Sequence, residues 1–130
     1  MSRSVVTLAP EQTLREAINL LQSEHVRHMP VVGDAGVVGI VTDRDVKRAT
    51  PSLLSGIDRS EYERVLETTT VVHFMTRDPL TVTPKSQLKA AVQIFIDRKV
   101  GALPVVEEGR LVGILTDIDI LRVVHDMLPG

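Results

Sequence analysis

The stretch Gly39-Ile40-Val41-Thr42-Asp43-Arg44-Asp45 decides the reading of this chain, because it returns 74 positions later as Gly113-Ile114-Leu115-Thr116-Asp117-Ile118-Asp119. Each copy is a short β-branched or leucine-rich run that suits a buried strand, closed by a threonine. Thr-x-x-Asp then signals a helix start, in which the hydroxyl caps a backbone N–H and the carboxylate sits in the first turn. A hydroxyl, an acid and a helix N-terminus are thus expected together at a strand end. Free N–H groups there favour phosphate, and a carboxylate accepts from ribose hydroxyls.

The repeat extends well beyond the motif. At the same offset residues 1–49 match residues 75–123 without a gap, and 17 of the 49 pairs are identical. Pro10/Pro84, Leu14/Leu88, Ala17/Ala91 and Pro30-Val31-Val32/Pro104-Val105-Val106 are among them. A duplication on this scale fixes the organisation before any single element is considered. In each copy a short strand (Val5–Leu8, Leu80–Val82) is expected first. A helix opened by Pro10 or Pro84 follows, since proline suits a first turn, with Leu14, Ala17, Ile18 and Leu21 on its core face. An apolar-Pro-Val-Val strand, a tight turn and a second strand make a hairpin. The second helix closes a β-α-β-β-α unit.

The predicted fold class is therefore α+β, with two pseudo-symmetric units packed together as one module. The expected boundaries are 1–50 for the first repeat, 51–70 for a linker with a short helix over 58–67, and 71–130 for the second repeat. Val71-Val72-His73-Phe74 lead into copy two, whereas copy one starts at the matching Met1, so one copy lacks a lead-in that helps close a pocket.

Composition narrows the function. A net charge of −2 and only 2% aromatic residues give no basic surface or stacking platform for nucleic acid. There is no cysteine, hence no disulfide framework, thiol nucleophile or cysteine metal site. No signal-peptide pattern or bilayer-length apolar run is present, and the expected location is cytoplasmic, away from membranes. Asp43/Asp45 and Asp117/Asp119 do not make a Mg²⁺ pair, because alternate residues at a helix start point apart, and no activated nucleophile accompanies them. His25 and His28 lack a third ligand. Gly33, Gly36 and Gly39 have neither the spacing nor the following helix of a dinucleotide loop. No catalytic residue, metal site or required cofactor is expected.

With these motifs in both copies, the chain resembles a tandem pair of cystathionine β-synthase (CBS) domains, a Bateman module. Through Arg44-Asp45-Val46-Lys47-Arg48-Ala49-Thr50-Pro51-Ser52 and Tyr62-Glu63-Arg64-Val65-Leu66 it is similar to the CBS portion of acetoin-utilisation-type proteins. The resemblance implies a regulatory module that senses AMP, ADP, ATP or S-adenosylmethionine-like ligands in the cleft between the repeats. Asp45 and Asp119 would then accept from ribose, and Thr42 and Thr116 would bond ribose or phosphate. Arg27-His28-Met29-Pro30 and Val100-Gly101-Ala102-Leu103-Pro104 would hold adenine, with Thr7 and Thr81 lining the same pockets. Arg44, replaced by Ile118 in copy two, suits phosphate through its planar fork, so the first site is expected to prefer polyphosphate. A homodimer and a separate effector protein are the expected partners. The alternative is a ligand-free interaction scaffold, in which both Thr-x-x-Asp pairs serve only as caps.

Overall fold

The computed structural model describes residues 4–130. Its elements run, in order, α1 (Leu14–Glu24), β1 (His28–Gly33), β2 (Gly36–Thr42), α2 (Asp43–Ala49), α3 (Arg59–Thr68), β3 (Thr76–Arg77), α4 (Leu88–Arg98), β4 (Ala102–Glu107), β5 (Arg110–Thr116) and α5 (Asp117–Met127), with single 3₁₀ turns at Leu53–Ser55 and Val71–His73. The chain divides into two compact units. One is Val6–Asp78, and the other is Pro79–Gly130 together with the N-terminal residues Ser4 and Val5. Each follows the same α+β plan.

Both hairpins are antiparallel and carry a bulge at the same place, between Val31 and Val32 and between Val105 and Val106. Val38 and Val112 are the extra residues, one pair before the shared Gly-apolar-apolar-Thr run. In the second hairpin Glu108 and Gly109 both have positive φ (51° and 78°), the two-residue turn that matches strand twist.

The expected first strands shrink to single bridges. Leu8 N–H donates to the Pro30 carbonyl at 3.0 Å and Val32 N–H to the Leu8 carbonyl at 2.9 Å, and Val82 makes the equivalent pair with Pro104 and Val106. The parallel ladder can extend in neither direction. Its next donors would be the nitrogens of Pro30 and Pro10, or of Pro104 and Pro84, which carry no hydrogen. The same prolines correct the expected helix starts. Pro10 and Pro84 each hold the second position of a β-turn, closed by Gln12 N–H to Ala9 O (3.1 Å) and Ser86 N–H to Thr83 O (3.0 Å). The helices begin four residues beyond them. Thr13 starts α1 with a full capping box to Glu16, whereas Gln87 starts α4 with no side-chain cap.

The Val6–Asp78 unit has the fuller core: Leu8, Leu14, Ala17, Met29, Val31, Val41, Val46, Leu66 and Val71. Three contributions come from beyond the first repeat proper. Leu66 and the half-buried Tyr62 and Val65 lie on α3, which packs on α1 and is tied to it by Arg15 bridging Glu63 and Glu67. Val71 enters from the 3₁₀ turn after α3. β3 adds a third strand beside β2, with Ile40 opposite Thr76 and Gly39 opposite Arg77. That approach explains Gly39, because a Cβ there would stand 2.9 Å from the Thr76 carbonyl oxygen and 2.5 Å from Met75 Sδ. Among the described residues the Pro79–Gly130 unit gathers Val82, Ala91, Leu103 and Val105 into a buried cluster.

Candidate functional site

In the first repeat β1 and β2 bring two expected site segments into register. His28 lies opposite Thr42, Met29 opposite Val41 and Pro30 opposite Ile40. Thr7 is exposed and precedes the Leu8 bridge, so it lies beside Pro30 of β1. The second repeat reproduces this arrangement. Ala102 faces Thr116, Leu103 faces Leu115 and Pro104 faces Ile114, with exposed Thr81 ahead of the Val82 bridge.

The two Thr-x-x-Asp motifs form complete capping boxes. Thr42 Oγ1 accepts from Asp45 N–H at 3.1 Å, while Asp45 Oδ2 accepts from Thr42 N–H at 3.0 Å. In the second repeat the corresponding distances for Thr116 and Asp119 are 3.3 and 2.8 Å. Each carboxylate spends one of about four acceptor positions on its box. Asp45 also lies 3.3 and 3.4 Å from the Thr76 hydroxyl, longer than an ordinary O–H···O bond. Each threonine hydroxyl accepts in its box and keeps its own proton to donate.

The helix starts themselves are less available than the motif suggested. Asp43 N–H donates to the Arg27 carbonyl at 3.0 Å, and Arg44 N–H to Asp43 Oδ1 at 2.9 Å. Asp117 N–H donates to the Gly101 carbonyl at 3.1 Å, and Ile118 N–H to Asp117 Oδ1 at 2.8 Å. With Asp45 and Asp119 N–H held in the boxes, the first-turn donors are satisfied within the protein in both repeats. Phosphate at this point would therefore rely on cationic side chains rather than on backbone N–H groups. Asp43, Asp117 and Thr76, which the sequence reading left out of the site, take part in this arrangement. The two aspartates occur in both copies of the repeat, whereas Thr76 becomes evident only when β3 pairs with β2.

The remaining residues divide by accessibility. Met29, Leu103, Pro30 and Pro104 are fully buried, so their side chains belong to the cores. Arg27 and Arg44 are exposed, as is Ile118 at the Arg44 position, while Gly101 stands where Arg27 does. His28, Val100 and Gly101 are half-buried, and Ala102 is buried. Arg27 and Arg44 are thus surface residues next in sequence to the first hairpin and box, and Gly101 and Ile118 stand at their positions in the second repeat. Among the described residues no group of three or more potential metal ligands is assembled, and no helix is long and apolar enough to cross a membrane.

The CBS domain family model matches residues 1–52 and 71–126. A CBS domain-containing protein of Dictyostelium discoideum is 32% identical over 130 residues, covering 98% of this chain and 90% of that protein. A homoserine O-acetyltransferase of Methanohalophilus mahii is 35% identical over 118 residues, but this chain spans only 22% of its length. Among solved structures, a candidate acetoin utilization protein (AcuB) from Vibrio cholerae superposes with a TM-score of 0.79 at 30% identity, over 98% of this chain and 87% of that one. CBSX2 in complex with AMP gives 0.77 at 26% identity, covering 97% and 92%. A CBS domain pair in complex with 5'-methylthioadenosine and S-adenosyl-L-methionine gives 0.76 at 26% identity, covering 95% and 93%. With the family model matched over most of its length in two copies, the chain belongs to the CBS domain family as a tandem pair, a Bateman module.

Proposed function

We propose that the chain is a non-catalytic, cytoplasmic sensor of adenosine-containing ligands, with Asp45 and Asp119 as the ribose acceptors. The observation that carries this reading is the Thr-x-x-Asp box kept in both repeats, with acceptor capacity to spare on each carboxylate and a hydroxyl proton free to donate. Similar CBS pairs that hold AMP or S-adenosyl-L-methionine support it. Thr7, Thr81 and the segments 27–30 and 100–104 are assigned to the adenosyl group, the buried members through backbone groups alone. Arg27 and Arg44 favour a polyphosphate such as ADP or ATP at the first box, and the second box, which lacks both arginines, favours a less charged adenosyl group.

Ligand binding transmits a signal only through different affinities for two arrangements of the protein. The signal passes to a separate effector. A homodimer fits the exposed apolar residues of α4 and α5, among them Ile96, Leu121 and Met127, and light scattering at micromolar concentration tests it.

Because the boxes already serve as caps, the rival reading is a ligand-free scaffold. Calorimetric titration with AMP, ADP, ATP and S-adenosylmethionine, on wild type and on Asp45→Ala and Asp119→Ala, separates the two. Loss of a charged ribose contact is expected to cost about 1.5–3 kcal/mol of binding. No heat from any ligand, with both variants folded, would leave the scaffold.

A further inference from the structure

The second repeat has an open cavity of about 250 Å³ whose walls include Val82, Ser86, Leu88, Ala91, Val105 and Leu115. It exceeds the roughly 150 Å³ that admits a benzene ring. At the 74-residue offset these walls correspond to Leu8, Gln12, Leu14, Ala17, Val31 and Val41, five of them members of the closed core of the first repeat. What closes that core is Val71, wholly buried among the same residues.

Val71 follows the extended pair Thr69–Thr70 and opens the 3₁₀ turn Val71–His73, and main-chain bonds hold the segment. Leu14 N–H donates to the Thr69 carbonyl at 2.8 Å, Val71 N–H to the Gln12 carbonyl at 2.8 Å and Val72 N–H to the Pro10 carbonyl at 3.0 Å, with Thr13 and Thr70 bridged antiparallel. The corresponding groups of the second repeat are Leu88 N–H and the Ser86 and Pro84 carbonyls. Leu88 N–H has no protein acceptor among the described residues. Leu14 has no exposed surface, whereas Leu88 is 46% exposed at the rim. The start of α4 also lacks the capping box that α1 has.

We infer that this cavity is a docking site for a segment of a partner polypeptide with the chemistry and shape of Thr69–Phe74, two extended residues leading into a 3₁₀ turn: a main-chain donor and acceptor pattern set by Pro84, Ser86 and Leu88, and one β-branched anchor in the apolar hole. An incoming backbone laid along an exposed edge, with pockets for alternate side chains, is a known mode of peptide recognition. A free small molecule would fill the hole but leave that ladder unused. The site is distinct from the Thr116/Asp119 box and does not depend on the ligand reading.

The test is a synthetic peptide of residues 69–75 titrated into the full chain and followed by amide shifts. Saturable shifts at Ser86, Leu88, Ala91, Val105 and Leu115 are expected, as is a rise in Tm. The same peptide carrying Val71→Asp is expected to bind at least tenfold more weakly, a control that leaves the protein untouched. Ala91→Leu, which fills the hole, is expected to stay folded and lose at least tenfold in affinity for the unmodified peptide. The absence of shifts at millimolar peptide, shifts confined to other surfaces, or equal binding of the two peptides would overturn the proposal. Displacement of the peptide by AMP, with AMP shifting these same amides, would also overturn it by making the cavity part of the nucleotide site.

Discussion

The two repeats share a plan and differ in what packs on them. In the Val6–Asp78 unit α3, the turn at Val71–His73 and β3 all pack on the first repeat. The counterpart cluster in the Pro79–Gly130 unit has four buried members and leaves Leu88, Leu121 and Met127 in solvent. The difference teaches that a duplicated sequence conserves the hairpin and helices but not their surroundings. A leucine at one position of the alignment is a core residue in one copy and a rim residue in the other.

Leu14→Ala against Leu88→Ala puts that difference to the test with the largest expected effect. Truncating a fully buried leucine leaves a cavity and costs about 2–5 kcal/mol. The same change at a half-exposed rim is expected to cost less than about 1 kcal/mol. Urea unfolding of both variants measures the pair. Equal losses would mean that Leu88 is buried in solution and that something already fills the second repeat's cavity.

Gly39→Ala probes the pairing of β3 with β2 in the first repeat. Met75 can swing its thioether away from a new methyl group, but the Thr76 backbone cannot move without unpairing from Ile40. A loss of about 1–3 kcal/mol is expected from the crowding, with faster amide exchange confined to Ile40 and Thr76. Unchanged exchange there would show that β3 is not held against β2.

A third exchange sharpens the comparison at the helix starts. Thr13→Ala removes the cap of α1 and is expected to cost about 1 kcal/mol. Introducing Gln87→Thr with Ala90→Glu writes the same box into α4 and is expected to stabilise the chain by about 0.5–1 kcal/mol. A gain at α4 smaller than the measured error would show that its first turn is satisfied by another group.

Much of this was legible in the sequence. The 74-residue repeat, the hairpins and the Thr-x-x-Asp boxes follow from local chemistry, because a strand end and a helix cap are decided within a few residues. The short helix expected over 58–67 appears as α3, capped by Asp58. The first strands and the helix starts were misjudged through the prolines: Pro10 and Pro84 read as helix openers, when their fixed φ suits a turn, and the missing N–H groups of Pro10, Pro30, Pro84 and Pro104 truncate the ladders. At the candidate site the boxes were readable, but the use of the neighbouring N–H groups was not. That depends on Arg27 and Gly101 carbonyls brought alongside by the hairpin. The core placement of Val71 and the reason for Gly39 are non-local as well, set by where the chain goes after α3.

The smallest expected effect lies in the acid limb of the box that α1 has and α4 lacks. Hydrogen bonds from the Gln12 side chain, then from Thr13 N–H and the Thr13 hydroxyl, hold the Glu16 carboxyl below its ordinary value of 4.5. A group depressed on folding adds stability that is fully present above its unfolded pKa and is lost as pH falls through the folded one. Glu16→Ala should therefore weaken the chain at pH 7, and its difference from wild type should shrink as pH drops below about 4.5. Ala90, at the same place in α4, has no carboxylate to titrate, so Ala90→Gln should give a difference from wild type with no acid limb. Denaturant midpoints at pH 7 and at pH 3 for both substitutions measure this. No Glu16→Ala effect at either pH would show that the box is held by the threonine alone, and the helix starts of the two repeats would then differ by one hydroxyl rather than by a reciprocal pair.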